Sequence, residues 1–381
     1  MNFYLPSSKS PYRINNVKSI DTPRLLVFHN RIDENIQRMK ELLKGINPEL
    51  SLKHLCPHVK THKSLWTTNK LLQNGISFFK TTLHEIDMLC QSGAERIFLA
   101  YPLLPADAEK VSSLIRNYPR KNFYVQLSQP EHISILEHVA DRHNFKWNYF
   151  IDVDVGMHRT GLNPEDAWSV FAAIKDKPAF QFAGLHAYDG HIHQHKHADR
   201  HAEAEQSMRQ VEYIGKLFHE KGVQVPIIIV GGTPGFLHDA ALLNQLNMNA
   251  KMLFSPGTWI YFDTVSAAMM SDTFTLAALV LTQVIDSPTP DTVTLNIGHK
   301  RLGADQGPVD VFNVPDMHVK SWSEEHMVVS VPASKKMAVG DYVMLAPKHI
   351  CSTVNLWEYF TVIDANGQVE IEQCPVDARN R

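Results

Sequence analysis

The sequence predicts the α/β fold class, with a (β/α)8 barrel followed by a smaller C-terminal all-β domain. Strand-like and helix-like segments alternate from about Thr22 to Asp263, and this alternation is typical of parallel strands joined by crossover helices. Beyond Asp263, strand-like runs follow one another without helices between them. A length of 381 residues suits one large domain and one smaller domain.

The first part of the chain supplies the strands of the predicted barrel. Each candidate is apolar, β-branched or aromatic and precedes a helix-like segment. The runs are LLVFH, LKHLCPHV, FFKTT, RIFLAY, NFYVQL, YFIDVDV, FAGLHAY and PIIIVGG. About eight such units before Phe262 favour a closed barrel, although an open, doubly wound sheet would give the same local alternation.

The second part reads as a separate β domain. Its candidate strands are TFTLAALVLTQVI, TVTLNIG, HMVVSV, DYVMLAP and YFTVID, and turn signals such as Asn366-Gly367 separate them. We therefore expect residues 22–263 to form the barrel and residues 264–381 to form the β domain. Residues 1–21 are expected to pack on the β domain.

Composition and charge narrow the possible partners. The chain is 44% hydrophobic and 20% charged with a net charge of −3, so it lacks the basic excess of a nucleic-acid surface. No apolar signal segment opens the sequence, and the longest apolar stretch, residues 275–284, is too short to span a bilayer. These features predict a cytoplasmic protein whose four cysteines stay reduced.

The strongest motif surrounds Lys60. In a parallel barrel, chemistry gathers at the C-terminal ends of the strands, and CPHVKTHK places Lys60 at such an end. A lone lysine in a basic loop is usually a surface residue. This segment, however, resembles the PHxKTHK motif of the D-serine dehydratase and D-threonine aldolase family. The matching residues are Pro57, His58, Lys60, Thr61, His62 and Lys63.

The resemblance implies an alanine-racemase-like barrel and a pyridoxal-phosphate cofactor bound to Lys60 as a Schiff base. Neighbouring cations fit this role, because a lysine buried near other positive charges loses its proton easily and its neutral amine condenses with an aldehyde. Lys63, His58 and His62 are the candidates, and His62 is also predicted to bind the cofactor. The family usually has arginine before the Pro-His pair, where this chain has Cys56.

Two further strand ends resemble the family's cofactor cradle. DVDVGMHRTG is similar to a DxGMxRxG segment, which implies that Arg159 contacts the phenolic oxygen of the cofactor. GLHAYDGH places Tyr188 where the family has an aromatic residue on the ring face, with His186 and His191 lining the same mouth. From the residues alone, Arg159 could be a solvated arginine and Tyr188 could close the barrel core.

Two glycine-rich turns are predicted to hold the cofactor phosphate. VGGTPG and SPGTW each follow a strand, and glycines let backbone N–H groups approach an anion. Either sequence alone could form a turn that binds no ligand. Both, however, occur after Lys60 in the order that the family shows. The matching positions are Gly231, Gly232, Thr233, Gly257 and Thr258.

A metal pair is predicted in the β domain at His349 and Cys351. On a strand, residues two apart face the same side, and an imidazole with a thiolate suits zinc or another divalent metal. The segment resembles the family's PxHxCxTxN run, through which its D-serine dehydratases bind zinc. Its D-threonine aldolases more often pair the histidine with a carboxylate. A buried thiol beside an unrelated histidine is the alternative.

Two other segments bear on the site. NIGHKRLGADQG matches the family's D-x-G-x-K-x-x-x-x-D-x-G, except that Asn296 replaces the first aspartate. Four histidines alternate along one stretch and favour a solvated loop over a second metal site. They are His191, His193, His195 and His197.

Together these features predict a pyridoxal-phosphate- and metal-dependent lyase for a D-β-hydroxy-amino acid. A D-serine dehydratase-like reaction, giving a 2-oxo acid and ammonia, is favoured mildly by the thiolate ligand. D-threonine aldolase-like cleavage to glycine and an aldehyde uses the same residues. An amino-acid racemase, a non-catalytic pyridoxal-phosphate carrier and a metal-dependent barrel hydrolase are further alternatives. The resemblance also implies a head-to-tail homodimer.

Overall fold

The structure is a computed structural model that describes residues 10–314 and 316–379. The expectation for residues 1–9, within the segment 1–21, lies outside the described residues. The described chain divides into two compact units. The barrel unit comprises Met39–Lys60 and Thr67–Gly257, and the β unit comprises Thr61–Trp66 and the described residues within 10–38 and 258–379.

The described chain first alternates strands and helices and then becomes mainly β-strand, as the sequence predicts. The strands are β1 (Arg24–Phe28), β2 (Phe78–Thr81), β3 (Arg96–Leu99), β4 (Asn122–Leu127), β5 (Trp147–Asp152), β6 (Phe180–Ala187), β7 (Ile227–Val230), β8 (Lys251–Phe254), β9 (Ala278–Thr289), β10 (Thr292–Leu295), β11 (Asp310–Val311), β12 (Val319–Trp322), β13 (Met327–Ser330), β14 (Tyr342–Ala346), β15 (Tyr359–Ile363) and β16 (Val369–Pro375). The α-helices are α1 (His29–Ile46), α2 (Leu65–Gln73), α3 (Ile86–Gln91), α4 (Pro105–Asn117), α5 (Pro130–His143), α6 (Ala167–Ile174), α7 (His197–Glu220), α8 (Phe236–Leu242), α9 (Thr264–Met269) and α10 (Ile350–Val354).

The barrel unit is a sheet of seven parallel strands that a short extended segment closes into a ring. Strands β2 to β8 pair in sequence order. Residues 55–58 complete the ring, because Leu55 bridges to Phe254 of β8 and His58 bridges to Lys80 of β2, both in parallel. This arrangement confirms the predicted (β/α)8 barrel and excludes the open, doubly wound sheet.

The interior of the barrel is layered. An apolar layer contains Phe78, Phe98, Phe150 and Leu253 among its buried members. Since alternate residues of a strand face the same side, the residue two positions after each of these continues the interior toward the C-terminal rim. On β2 and β5, and directly after β8, that next residue is polar, and it is Lys80, Asp152 and Ser255 respectively.

The β unit is built on a sheet of order β12-β13-β10-β9-β1-β15-β16, with β14 pairing to both β9 and β11. Strand β1 runs parallel to β15 and antiparallel to β9. The assignment of LLVFH (Leu25–His29) to the barrel was therefore wrong. All five residues of β1 are buried, and a fully buried apolar run does not indicate which of two sheets it enters.

The described chain also bears on the predictions about membranes and cysteines. None of the helices within residues 10–314 and 316–379 is long and apolar enough to cross a membrane. All four cysteines are buried and free of disulfide bonds. Burial raises the pKa of the Cys56, Cys90 and Cys374 thiols to about 12.

Gly184→Ala should destabilise the protein. Gly184 lies on β6 with φ +140°, and an added Cβ would lie 1.7 Å from the carbonyl oxygen of Ile227 on β7. We expect the free energy of unfolding to fall by about 3 kcal/mol. Thermal unfolding checks this, with Gly215→Ala in α7 as the matched control, because nothing lies within 4 Å of its added Cβ. Equal melting temperatures for the two variants would contradict the argument.

Candidate active site

A buried lysine dominates the polar layer of the barrel. Lys80 is 4% exposed, and its Nζ lies 2.7 Å from His186 Nε2 and 3.2 Å from Ser255 Oγ. Ser255 in turn donates to the carbonyl oxygen of Gly231 at 2.7 Å. The Lys80 amine is therefore tied to the ends of three other strands, β6, β7 and β8.

A carboxylate completes this network. Asp152 Oδ1 lies 2.6 Å from His186 Nδ1, and its Oδ2 accepts from Gln126 Nε2 at 3.1 Å. Burial, assisted by the charge of Lys80, lowers the pKa of His186 to about 4. A neutral imidazole that donates from Nδ1 to Asp152 leaves its Nε2 lone pair to accept from Lys80.

The pKa of the Lys80 amine lies near neutral pH. Burial is the main cause that lowers its pKa to about 7. The charges of Lys60 and Arg159 lower it further, whereas Cys56 and Asp152 oppose the shift. Lys80 can therefore be either an ammonium or a neutral amine near neutral pH.

The predicted residues Lys60, Arg159 and Tyr188 are placed at the same rim. Lys60 is half-buried in the 3-10 helix Val59–Thr61, and its backbone N–H donates to His58 Nδ1 at 3.1 Å. The Arg159 guanidinium lies 4.9 Å from the Tyr188 ring centroid and the Lys80 amine lies 4.6 Å from it. This arrangement concentrates positive charge around one aromatic ring.

The two glycine-rich turns meet at the rim. Gly257 N–H donates to Thr233 Oγ1 at 3.1 Å, and Gly232 N–H donates to Asp189 Oδ1 at 2.6 Å. Gly231 has φ +85°, a conformation that favours glycine. The turns thus gather backbone donors and a hydroxyl close to Tyr188, because a Cβ on Gly232 would lie 3.4 Å from that ring.

A buried acid pair supports the first turn. Asp189 and Asp239 are both buried, and their carboxyl groups interact with each other. Burial raises the pKa of both groups, and the charge of Asp189 raises the pKa of Asp239 further. Two adjacent buried carboxyl groups cannot both ionise cheaply, so the pair retains a proton.

The predicted metal pair lies at the start of a helix and not on a strand. His349 is the N-cap residue of α10, and Cys351 is in the first turn of that helix. The expectation that alternate residues of a strand bring them together was therefore wrong. They meet because the chain changes from extended to helical at His349, and their side chains hydrogen-bond.

Oxygen groups surround this pair within the β unit. Asp305 contacts His349 Nδ1, and Ser352 Oγ lies 2.9 Å from the same nitrogen. Cys351 Sγ lies 3.2 Å from Thr61 Oγ1 and 3.9 Å from Thr258 Oγ1. Contact with Cys351 is the main cause that raises the pKa of His349 to about 9, and Asp305 adds to it.

The remaining predicted residues have other neighbours. In the β unit, His62 is buried, its Nδ1 accepts from the backbone N–H of Ser64 at 3.2 Å, and its ring lies 6.3 Å from that of Tyr261. In the barrel unit, His191 is half-buried beside Gly156, and His197 packs on His238 with ring centroids 4.5 Å apart.

His193 and His195 are exposed. Across residues 10–314 and 316–379, no group of three or more His, Cys, Asp or Glu side chains is placed to hold a metal ion.

Comparisons with known proteins confirm the resemblance seen in the motifs. Residues 28–264 match the family model "Alanine racemase, N-terminal domain" and residues 277–363 match "Putative serine dehydratase domain". The chain is 26% identical over 372 residues to a D-threonine aldolase from Arthrobacter sp., covering 92% of this chain and 91% of that protein. It is 22% identical over 392 residues to a D-serine dehydratase from Dictyostelium discoideum, covering 93% and 96%.

A solved structure shares the fold. The crystal structure of D-threonine aldolase from Filomicrobium marinum superposes with a TM-score of 0.86 at 21% identity. The match covers 97% of this chain and 99% of that one. The alanine-racemase-like barrel followed by a β domain is therefore the fold of this protein.

Asp239→Asn should remove a pH dependence of stability. The raised folded-state pKa of Asp239 lies above the unfolded value of about 3.9. The proton therefore stabilises the fold fully below that value, and this contribution is lost as pH rises through the folded-state pKa. Because asparagine stays neutral, the melting temperature of the variant should gain on that of the wild type as pH rises above the unfolded-state value.

Thermal unfolding across this range measures the effect. Asp141→Asn, at an exposed position of α5, serves as the control and should not change the slope. A melting-temperature difference between Asp239→Asn and wild type that is the same at every pH would count against the shared proton.

Proposed function

The chain belongs to the family of the alanine racemase N-terminal domain, and from this membership we propose that it is a pyridoxal-phosphate-dependent lyase acting on a D-β-hydroxy-amino acid. The relatives named above are an aldolase and a dehydratase, so both are lyases. The observation that carries the proposal is the cluster of cations around Tyr188 next to the two glycine-rich turns.

The residues of the barrel unit fit this cofactor. Its aldehyde needs an amine, for which Lys60 is the candidate, and its phosphate and phenolic oxygen need cations or N–H donors. Arg159 and Lys80 supply positive charge beside Tyr188. Thr233 supplies a hydroxyl where the two turns meet, held there by the Gly257 N–H that donates to its Oγ1.

Each residue has a distinct role in the proposed reaction. When bound, pyridoxal phosphate withdraws electrons from the α-carbon of the substrate. Lys60 Nζ would hold the cofactor and, once released as a neutral amine, take the α-proton. Tyr188 would pack on the ring and exclude water, while Arg159 would orient the phenolic oxygen.

We also propose that His349 and Cys351 bind zinc or another divalent metal. Nitrogen and sulfur donors suit zinc, and Asp305 would orient the His349 ring through its contact with Nδ1. When bound, the metal would act as a Lewis acid toward the β-hydroxyl of the substrate. Thr61 and Thr258 would orient the Cys351 sulfur through their hydroxyl groups.

Dehydration of D-serine to pyruvate and ammonia is the reaction that we favour, because the proposed ligand Cys351 would supply a thiolate. D-threonine aldol cleavage is the second candidate. The contact between Asp305 and His349 supports it, since a carboxylate there could take the hydroxyl proton. Racemisation or carriage of the cofactor without turnover would leave the proposed metal pair unused. A homodimer in the cytoplasm, acting on a small-molecule substrate, remains part of the proposal.

The first test is the visible absorption of the protein supplied with pyridoxal phosphate. We expect a band that borohydride reduction fixes on Lys60, and pyruvate after addition of D-serine. Lys60→Ala should lack the fixed cofactor and lose activity by at least about 1000-fold, whereas the exposed control Lys53→Ala should keep both. Glycine and acetaldehyde from D-threonine, without pyruvate from D-serine, would identify the aldolase. A protein that never acquires the band refutes the proposal.

Cys351→Ala should separate metal from cofactor. We expect it to keep the visible band but to bind zinc at least about 10-fold more weakly and to lose activity in proportion. Zinc content by elemental analysis and the absorption spectrum measure the two properties independently. Cys374→Ala, a buried cysteine in β16 of the same unit, is the control. Full activity of zinc-free Cys351→Ala would rule out the metal role.

A further inference from the structure

Lys80 is a second lysine of the barrel interior that the family motif does not include. It occupies a position where the alternation of β2 predicts an apolar interior residue, since Phe78 two residues earlier belongs to the apolar layer. A lysine with 4% exposure is costly to bury unless its amine has partners. Its partners therefore indicate its role.

Those partners connect Lys80 with residues assigned to the cofactor. Its amine lies 4.6 Å from the Tyr188 ring centroid. Through Ser255 it is linked to the Gly231 carbonyl, at the start of the first glycine-rich turn. Through His186 it is linked to the buried carboxylate of Asp152. The amine thus lies between the hydrogen-bonded pair His186–Asp152 on one side and the proposed cofactor contacts on the other.

We propose that Lys80 is a positioning residue of the cofactor site, whose amine presents a positive charge to the bound cofactor and changes the cofactor's absorption when its proton is lost. This inference rests on the proposed function. The proton would leave from Lys80 Nζ to solvent, and His186 and Ser255 would keep the amine in place in both states.

Besides Tyr188, five other titratable groups face Lys80. They are Cys56, Lys60, Asp152, Arg159 and His186. Burial raises the pKa of Cys56 to about 12 and lowers that of His186 to about 4, so neither titrates near neutral pH. Lys60 would be occupied by the cofactor. Burial lowers the pKa of Lys80 to about 7, so its amine changes charge near neutral pH.

Two substitutions fix the charge of residue 80 in opposite states. Arginine stays protonated and methionine has no charge, while both keep a long side chain. In the wild-type holoenzyme we expect one spectral transition as pH is raised from about 6 to about 9. Lys80→Arg should show the low-pH spectrum throughout this range, and Lys80→Met should show the high-pH spectrum throughout.

The control is Lys251→Met, at an exposed position of β8, which should titrate like wild type. A transition with an unchanged midpoint in Lys80→Met or Lys80→Arg would overturn the inference while leaving the proposed function intact. If neither variant folds, as judged by circular dichroism, the absence of a transition in the wild type would overturn it. A wild-type protein that binds no pyridoxal phosphate would instead refute the proposed function.

Discussion

The barrel depends on the hydrogen bonds that residues 55–58 make across the gap between β8 and β2. Cys56 N–H donates to the Phe254 carbonyl at 2.7 Å, and Lys80 N–H donates to the Pro57 carbonyl at 3.0 Å. Without them the sheet would have two unpaired edges. Because this segment is parallel to its neighbours, it directs the chain to the C-terminal rim, where Lys60 follows two residues later.

Closure also determines which charges can be buried. The rim layer holds Lys80 and Asp152 at 4% and 2% exposure, and His186 lies between them. Each buried charge would be unfavourable alone. Together they form a hydrogen-bonded chain in which the imidazole stays neutral, so the interior carries opposite charges that offset one another.

The sequence predicted the barrel, the β domain and most of the proposed cofactor contacts, because these depend on local periodicity and on contiguous motifs. It did not predict Lys80, although a lysine inside the apolar run FFKTT was a signal. Asp305 was missed because its contact with His349 joins residues 44 apart in sequence. The helical start at His349 was missed because a short apolar segment fits strand and helix equally well.

The position of β1 has a consequence for how the protein is made. This strand is synthesised before the barrel, whereas its partners β9 and β15 follow some 250 and 330 residues later. The whole barrel sequence is therefore translated before the apolar run Leu25–Phe28 can pair with its neighbouring strands, a state prone to aggregation. A fragment that begins at Asp263 would lack β1, the strand that lies between β9 and β15, so we expect the C-terminal region not to fold on its own.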